Sequence, residues 1–222
     1  MRSGMWSLFL LPYLVIAAAA SPPRAPLRAS TLPPPGCVTA PAAGSTDNSV
    51  LVGRLARTYT LHVPPHGRAG WRSPLLLAFH GSGGTGRGMA ADTELSTLAD
   101  EHAFIVVYPD GTKGGFWNVG SYSDTTADDV TFISQLINVL SRRHCIDHRR
   151  IFATGISEGG GMAHRLACDL ASRIAAIGPV AGGSIDTACH PQRPVSVIAF
   201  HGTADPFVPY HGGRLRCRTV RR

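Results

Sequence analysis

The sequence predicts an α/β protein built on a mostly parallel central sheet with crossover helices. Short continuous apolar runs at 75–79, 104–108, 151–154, 174–180 and 194–200 alternate with stretches of helical spacing at 89–101, 128–143 and 162–170. Unbroken apolar runs suit strands buried on both faces, and their alternation with helices is the pattern of strand–helix–strand units. Glycine-containing turns follow three of these strands, at 80–86, 155–161 and 201–205. They collect turn chemistry at the C-terminal ends of the strands, where function gathers in such sheets.

In chain order, residues 1–20 read as an export signal. Arg2 supplies a positive start, 5–20 is mostly apolar, and Ala18-Ala19-Ala20 offers small residues for cleavage before Ser21. The run is short for a bilayer span and is interrupted by Pro12. Residues 21–48 are rich in Pro, Ala, Gly and Ser and read as an extended linker. The folded domain is expected over 49–213, opening near Val50 with an antiparallel hairpin of 50–52 and 58–63 closed by Pro64-Pro65-His66-Gly67. After the strand at 104–108, Pro109-Asp110-Gly111-Thr112 forms a turn and 113–125 a glycine-containing loop. Val130, Ile133, Leu136, Ile137 and Leu140 then mark one apolar helix face. Residues 214–222 form an arginine-rich tail.

A chain of 222 residues with 44% hydrophobic and 16% charged content has the material for one globular domain. Its net charge of +7 misleads about partners, because five arginines sit in 214–222 and the remainder carries only about +2. A nucleic-acid partner is not expected. Five cysteines fit an exported, oxidised protein. None forms a C-x-x-C pair and no His/Cys cluster has zinc spacing, so no metal is expected; no organic cofactor is implied either. Cys145 precedes the strand climbing to Ser157 and Cys168 ends the helix descending from it. Both should lie at the bottom of the sheet, which predicts a Cys145–Cys168 bridge and leaves Cys37, Cys189 and Cys217 unassigned.

Gly155-Ile156-Ser157-Glu158-Gly159 lies between a strand-like and a helix-like run, the context in which G-x-S-x-G presents a nucleophilic serine on a strained turn. Acyl transfer also needs two backbone N–H donors for the developing oxyanion. Glu158 would supply one, and the loop His80-Gly81-Ser82-Gly83-Gly84 the other, at Ser82. That loop lacks the G-x-x-x-x-G-K-[ST] spacing of a phosphate cradle. Asp205, beyond the last strand, fits the acid of a triad.

Together these residues resemble the α/β-hydrolase fold, and more narrowly the exported polyhydroxybutyrate depolymerases and feruloyl or acetylxylan esterases. The resemblance rests on HGSGGTG at 80–86, YPDG at 108–111, WN at 117–118 and DDVTF at 128–132. It continues through CIDHRRIFATGISEGGGMAHRLAC at 145–168 and HGTADPFVPYHGG at 201–213. It implies a secreted or periplasmic serine esterase acting on polymeric or polysaccharide-linked esters, expected to be monomeric and without stable membrane insertion. It implies Ser157 as nucleophile, Asp205 as triad acid, the 80–84 loop as half of the oxyanion hole, and Trp117 and Asn118 near a substrate pocket with His80, Gly81 and Gly83. Glu158 beside the nucleophile is unusual for the family and is expected to tune the site. A non-catalytic binding protein, or a peptidase or thioesterase on the same fold, are the alternatives.

The C-terminal part departs from that pattern. In this fold the histidine follows serine and acid in chain order. Only His211 lies beyond Asp205, six positions later and with no strand between. His80 and His201, before glycines, read as structural; His62, His66, His102, His144, His148, His164 and His190 read as surface or loop residues. The expectation is an incomplete domain lacking the last strand and helix of the fold. Its serine would be poorly activated, since loss of a triad member costs on the order of 10⁶ in turnover. Its last strand would have a bare edge.

Overall fold

The computed structural model describes residues 37, 42–65, 70–112, 114–120, 123, 125–183 and 189–213. The expected export signal at 1–20, most of the expected linker, Cys217 and the arginine-rich tail lie outside the described residues.

Seven strands form one sheet in the order β1-β2-β4-β3-β5-β6-β7. The hairpin is longer than its apolar core suggested. β1 (Gly44–Val52) and β2 (Leu55–Val63) pair antiparallel over their whole length, so the first strand begins at Gly44 rather than near 50, inside the expected linker. The extra residues, from Gly44 through Ser49, are half-buried or exposed on an edge strand, where polar side chains are tolerated. β2 pairs antiparallel with β4 (Ile105–Pro109). From β4 through β3 (Ser73–Phe79), β5 (Ile146–Ile156), β6 (Ala176–Val180) and β7 (Ser196–Val197) every pairing is parallel.

β3 shows why its run is continuously apolar. Leu75, Leu77 and Phe79 enter the main core with Ile105, Val107, Phe132, Leu136 and Leu166. Leu76 and Ala78 face a second, smaller cluster with Met89, Ala99, Val106 and Tyr108. The main core lies under α3 (Asp129–Arg143) and α4 (Glu158–Asp169), the second under α1 (Gly86–Asp92) and α2 (Leu95–His102). α3 buries the predicted Ile133, Leu136, Ile137 and Leu140, plus Phe132 and Asp129, and its N-cap Asp128 accepts from the Thr131 N–H at 3.0 Å. The single helix expected over 89–101 is two helices. Thr93 is extended between them and its hydroxyl donates to the Met89 carbonyl at 2.8 Å, the local competition by which threonine ends helices.

The strand expected over 194–200 is short. Only Ser196 and Val197 form a regular ladder with β6, followed by a bridge between Val180 and Phe200. β6 carries Gly178-Pro179, and proline donates no ladder hydrogen bond.

The predicted Cys145–Cys168 bridge does not form. Cys37 pairs with Cys145, and Cys168 with Cys189. Height along the sheet says nothing of lateral position. Cys145 sits beside β3, where its carbonyl accepts from Ser73, whereas α4 carries Cys168 toward the segment that follows β6. His62 is likewise no surface residue. It is 7% exposed, with Nδ1 2.9 Å from the Ser45 hydroxyl and Nε2 2.8 Å from Asp100, tying the hairpin to α2.

Candidate active site

β5 ends at Ile156 and α4 starts at Glu158, so the chain reverses on Ser157 alone. Ser157 takes φ 56° and ψ −120°, a conformation that costs a non-glycine residue about 1–3 kcal/mol. The strain is held from both sides. Its N–H donates to the Val180 carbonyl on β6 at 2.9 Å, and its carbonyl accepts from Gly161 at 3.0 Å. The two motif glycines are needed for space. A Cβ on Gly159 would lie 2.3 Å from the Phe79 oxygen, and one on Gly155 would lie 2.5 Å from the Gly159 backbone. Ser157 is half-buried, its hydroxyl makes no capping bond, and it stands at the N-terminus of a 12-residue helix whose dipole favours negative charge there.

The loop after β3 lies against this turn: a Cβ on Gly81 would be 3.5 Å from the Ser157 Cβ. His80 is the loop's internal support. It is 3% exposed; Nδ1 donates to the Gly81 carbonyl at 2.8 Å and Nε2 accepts from the Gly111 N–H at 3.0 Å, which defines a neutral tautomer. Burial holds its pKa below the usual histidine value, outweighing the Gly81 bond and the charge of Asp110. Gly83 donates to the Gly115 carbonyl at 2.8 Å and adopts φ 75°, a left-handed conformation suited to glycine. Ser82 and Gly83 are exposed at the crest, and the Ser82 hydroxyl donates to Glu158 Oε2 at 3.1 Å. Beside the loop lies a cavity of about 730 Å³ between α1–α2 and the ends of β5 and β6, with Gly81, Ser82, Met89, Leu98 and Ile156 in its wall.

Trp117 and Asn118 are framework residues. Trp117 is fully buried, stacks edge-on with Phe79 at 5.2 Å, and donates its indole N–H to the His80 carbonyl at 3.0 Å. Asn118 donates from its side chain to the Ala127 carbonyl, and its own carbonyl accepts from Arg165. Behind them lies a buried ion pair whose pairing no local sequence signal marks. Arg57 Nη2 meets Asp129 Oδ1 at 2.7 Å, with side-chain exposures of 4% and 0%; the guanidinium also donates to the Asp110 carbonyl and lies over the Phe132 ring. Asp129 Oδ2 accepts from the Asn118 N–H at 2.7 Å. Asp110 accepts from Gly86 and Thr58. The visible signals were YPDG and DDVTF, two acidic motifs whose carboxylates serve the loop scaffold.

Asp205 follows β7. Its Oδ1 accepts from the N–H groups of Val208 and Phe207, both at 2.9 Å, and these bonds hold its pKa below the usual carboxylate value. Its Oδ2 is 3.5 Å from His201 Nε2, which donates to the Val208 carbonyl at 2.8 Å. The segment reaches the serine turn through intermediates: Val208 packs at Gly183, and Gly183 at Gly161. His211 is exposed, with its ring edge-on to Tyr210 at 5.1 Å. Among the described residues no histidine is hydrogen-bonded to Ser157 Oγ. No group of three or more His, Cys, Asp or Glu residues suited to a metal occurs among them.

Several solved structures share this fold. Among solved structures, a thermostable esterase superposes with a TM-score of 0.64 at 20% identity, covering 76% of this chain and 48% of that one. The acetyl xylan esterase from Aspergillus awamori superposes with a TM-score of 0.55 at 21% identity, covering 67% and 57%. These likenesses establish the α/β-hydrolase fold. In sequence, the chain is 36% identical to feruloyl esterase B of Piromyces equi, over 64% of this chain and 28% of that protein. It is 33% identical to a probable feruloyl esterase C of Aspergillus flavus, over 71% of this chain and 58% of that protein. The chain thus spans less than two thirds of the length of these relatives. The family model for "Esterase PHB depolymerase" matches residues 57–208, and this chain belongs to that family.

Proposed function

We propose that this domain is a serine carboxylic ester hydrolase working through an acyl-enzyme, with Ser157 as nucleophile. The observation that carries the proposal is the φ 56°, ψ −120° turn at Ser157, held between β5 and α4 by glycines that admit no side chain. A turn of that strain is retained where the hydroxyl must stand clear of the sheet. Ser157 Oγ attacks the ester carbonyl carbon, and the oxyanion is held by the N–H groups of Glu158 and Ser82. The alcohol leaves, and water then hydrolyses the acyl-serine. Asp205 is the acid that orients a histidine base; the backbone bonds that keep it ionised support that role. Relatives named as feruloyl esterases and as a bifunctional acetylxylan esterase/xylanase support an aromatic-acyl or acetyl ester on a polysaccharide as the substrate class. Two disulfides support an oxidising, extracellular setting, and no helix among the described residues is long and apolar enough to cross a membrane.

The test is prolonged incubation with a fluorophosphonate probe, followed by mass spectrometry and a p-nitrophenyl acetate assay. An adduct on Ser157, and hydrolysis abolished in Ser157→Ala, is the expected result. Absence of adduct, or hydrolysis unchanged in Ser157→Ala, overturns the proposal. The lack of a histidine hydrogen bond to Ser157 Oγ among the described residues favours one second reading, an ester-binding protein without turnover. It would show as saturable binding of the ester with no adduct and no product.

A further inference from the structure

We infer that the hydrogen bond from Ser82 Oγ to Glu158 Oε2 is a positioning strap that holds the two arms of the oxyanion hole at a fixed spacing. The inference rests on the esterase proposal and goes beyond it by giving these two side chains a task separate from their backbone amides. The two arms come from different parts of the sheet. One is the loop after β3, the other the first turn of α4. Transition-state stabilisation requires both N–H groups to point at one oxygen within a few tenths of an ångström.

The α4 arm is stiff, because Ser157, Gly159 and Gly161 are locked by β6, β3 and the helix. The loop arm is built differently. Its stem is fixed by the His80 bonds to Gly81 and Gly111 and by Gly83 to Gly115. Its crest is the exposed Ser82-Gly83 pair flanked by Gly81 and Gly84, and a Cβ on Gly83 would meet nothing within 4 Å. The loop is nonetheless a stiff turn, because the Gly81 carbonyl accepts from both His80 Nδ1 and the Gly84 N–H; what its own bonds do not set is its distance from the first turn of α4. The 3.1 Å bond to Glu158 joins that crest directly to the residue after the nucleophile. Being at the surface, the bond contributes little to global stability. Its effect lies in setting how far the loop, and with it the Ser82 N–H, stands from the Glu158 N–H.

The experiment measures the rate at which fluorophosphonate labels Ser157, alongside thermal unfolding, in the full chain. Phosphonylation passes through an oxyanion and therefore reports on the hole. Ser82→Ala and Glu158→Ala should each slow labelling about tenfold or more, a cost in the range seen when positioning or one donor is lost. The double variant should be no slower than the worse single one, because both remove the same bond. Glu158→Gln, whose amide oxygen can still accept from Ser82, should recover most of the loss of Glu158→Ala. Melting temperatures should stay together, which a merely structural role would not give. If the wild-type chain does not label, the esterase proposal fails and the strap with it. If it labels and the two alanine variants label at its rate, or their losses multiply in the double variant, the strap alone is overturned. Failure of Glu158→Gln to recover the rate also overturns it, because charge and not the hydrogen bond would then be responsible.

Discussion

The centre of the sheet and its β7 side are built to different standards. At the centre, β3 is covered on both faces, β5 is paired on both edges, and Leu75, Leu77 and Phe79 have no exposure. At the β7 side, two residues form the regular ladder, and Val197, Ile198 and Phe200 are 53%, 63% and 58% exposed. Ser157 belongs to the first region and Asp205 to the second. A strained turn persists only where its surroundings over-determine it, and at Ser157 the packed centre does so. The acid needs less, since two backbone N–H groups within its own turn orient it.

The difference is open to measurement by breaking each region in turn. The two cystines are the strongest contrast. Replacing Cys37 and Cys145 together opens a link across 108 residues at the foot of the central strands and should cost about 4–5 kcal/mol. Replacing Cys168 and Cys189, a link across 21 residues on the β6 side, should cost about 3 kcal/mol. Urea unfolding of the two double variants checks the order; the reverse order would mean that the β6 side carries more of the stability than its packing indicates.

Next, Asp129→Ala leaves the Arg57 guanidinium buried without its counter-charge and should cost about 3–5 kcal/mol. The same loss should loosen the Trp117–Asn118 loop, since Asn118 donates to the same carboxylate. Equilibrium unfolding, with Trp117 fluorescence as a probe, reads both; a loss under about 1 kcal/mol would show that the pair is not a structural centre.

A smaller effect is expected from acid. Burial lowers the folded-state pKa of His80, His144 and His164, with the Arg143 charge adding to the shift at His144. The unfolded chain therefore binds protons more readily than the folded one. The stability they contribute is complete above about pH 6.5 and is lost as pH falls through the lowered folded values. Asp128, Asp147 and Asp205, held below the usual value mainly by hydrogen bonds, add a second loss below about pH 3.8. Urea midpoints between pH 7.5 and 5 should decline steadily; a flat profile would contradict neutral, buried histidines. At His80 the burial that lowers its pKa goes with a geometry suited to the neutral ring, in which Nε2 accepts from the Gly111 N–H.

The smallest effect belongs to the edge itself. Phe200→Ser removes an exposed apolar ring and should change stability by no more than about 0.5 kcal/mol, while reducing self-association measured by light scattering. A loss comparable to that of Asp129→Ala would erase the contrast between the regions.

Much of this was legible from residue order. The alternation of apolar runs with helical spacing predicted the parallel sheet. The glycines around Ser157 predicted its turn, and the apolar face of α3 predicted its packing. Each of these signals is local: a strand's burial, a turn's tolerance for φ > 0 and a helix's face are written within a few consecutive residues. Other features depended on partners distant in the chain. The cysteine pairings, the burial of His62 between Ser45 and Asp100, and the Arg57–Asp129 pair are set by which strands become neighbours. The same holds for Trp117, a core residue beneath the loop. Residue order sufficed for the class of sheet and the place of the strained serine, because short-range sterics and periodicity decide those. Which buried charges and thiols meet, and how the Ser82 loop is joined to Glu158, emerged with the folded sheet, because lateral position in it has no counterpart in residue spacing.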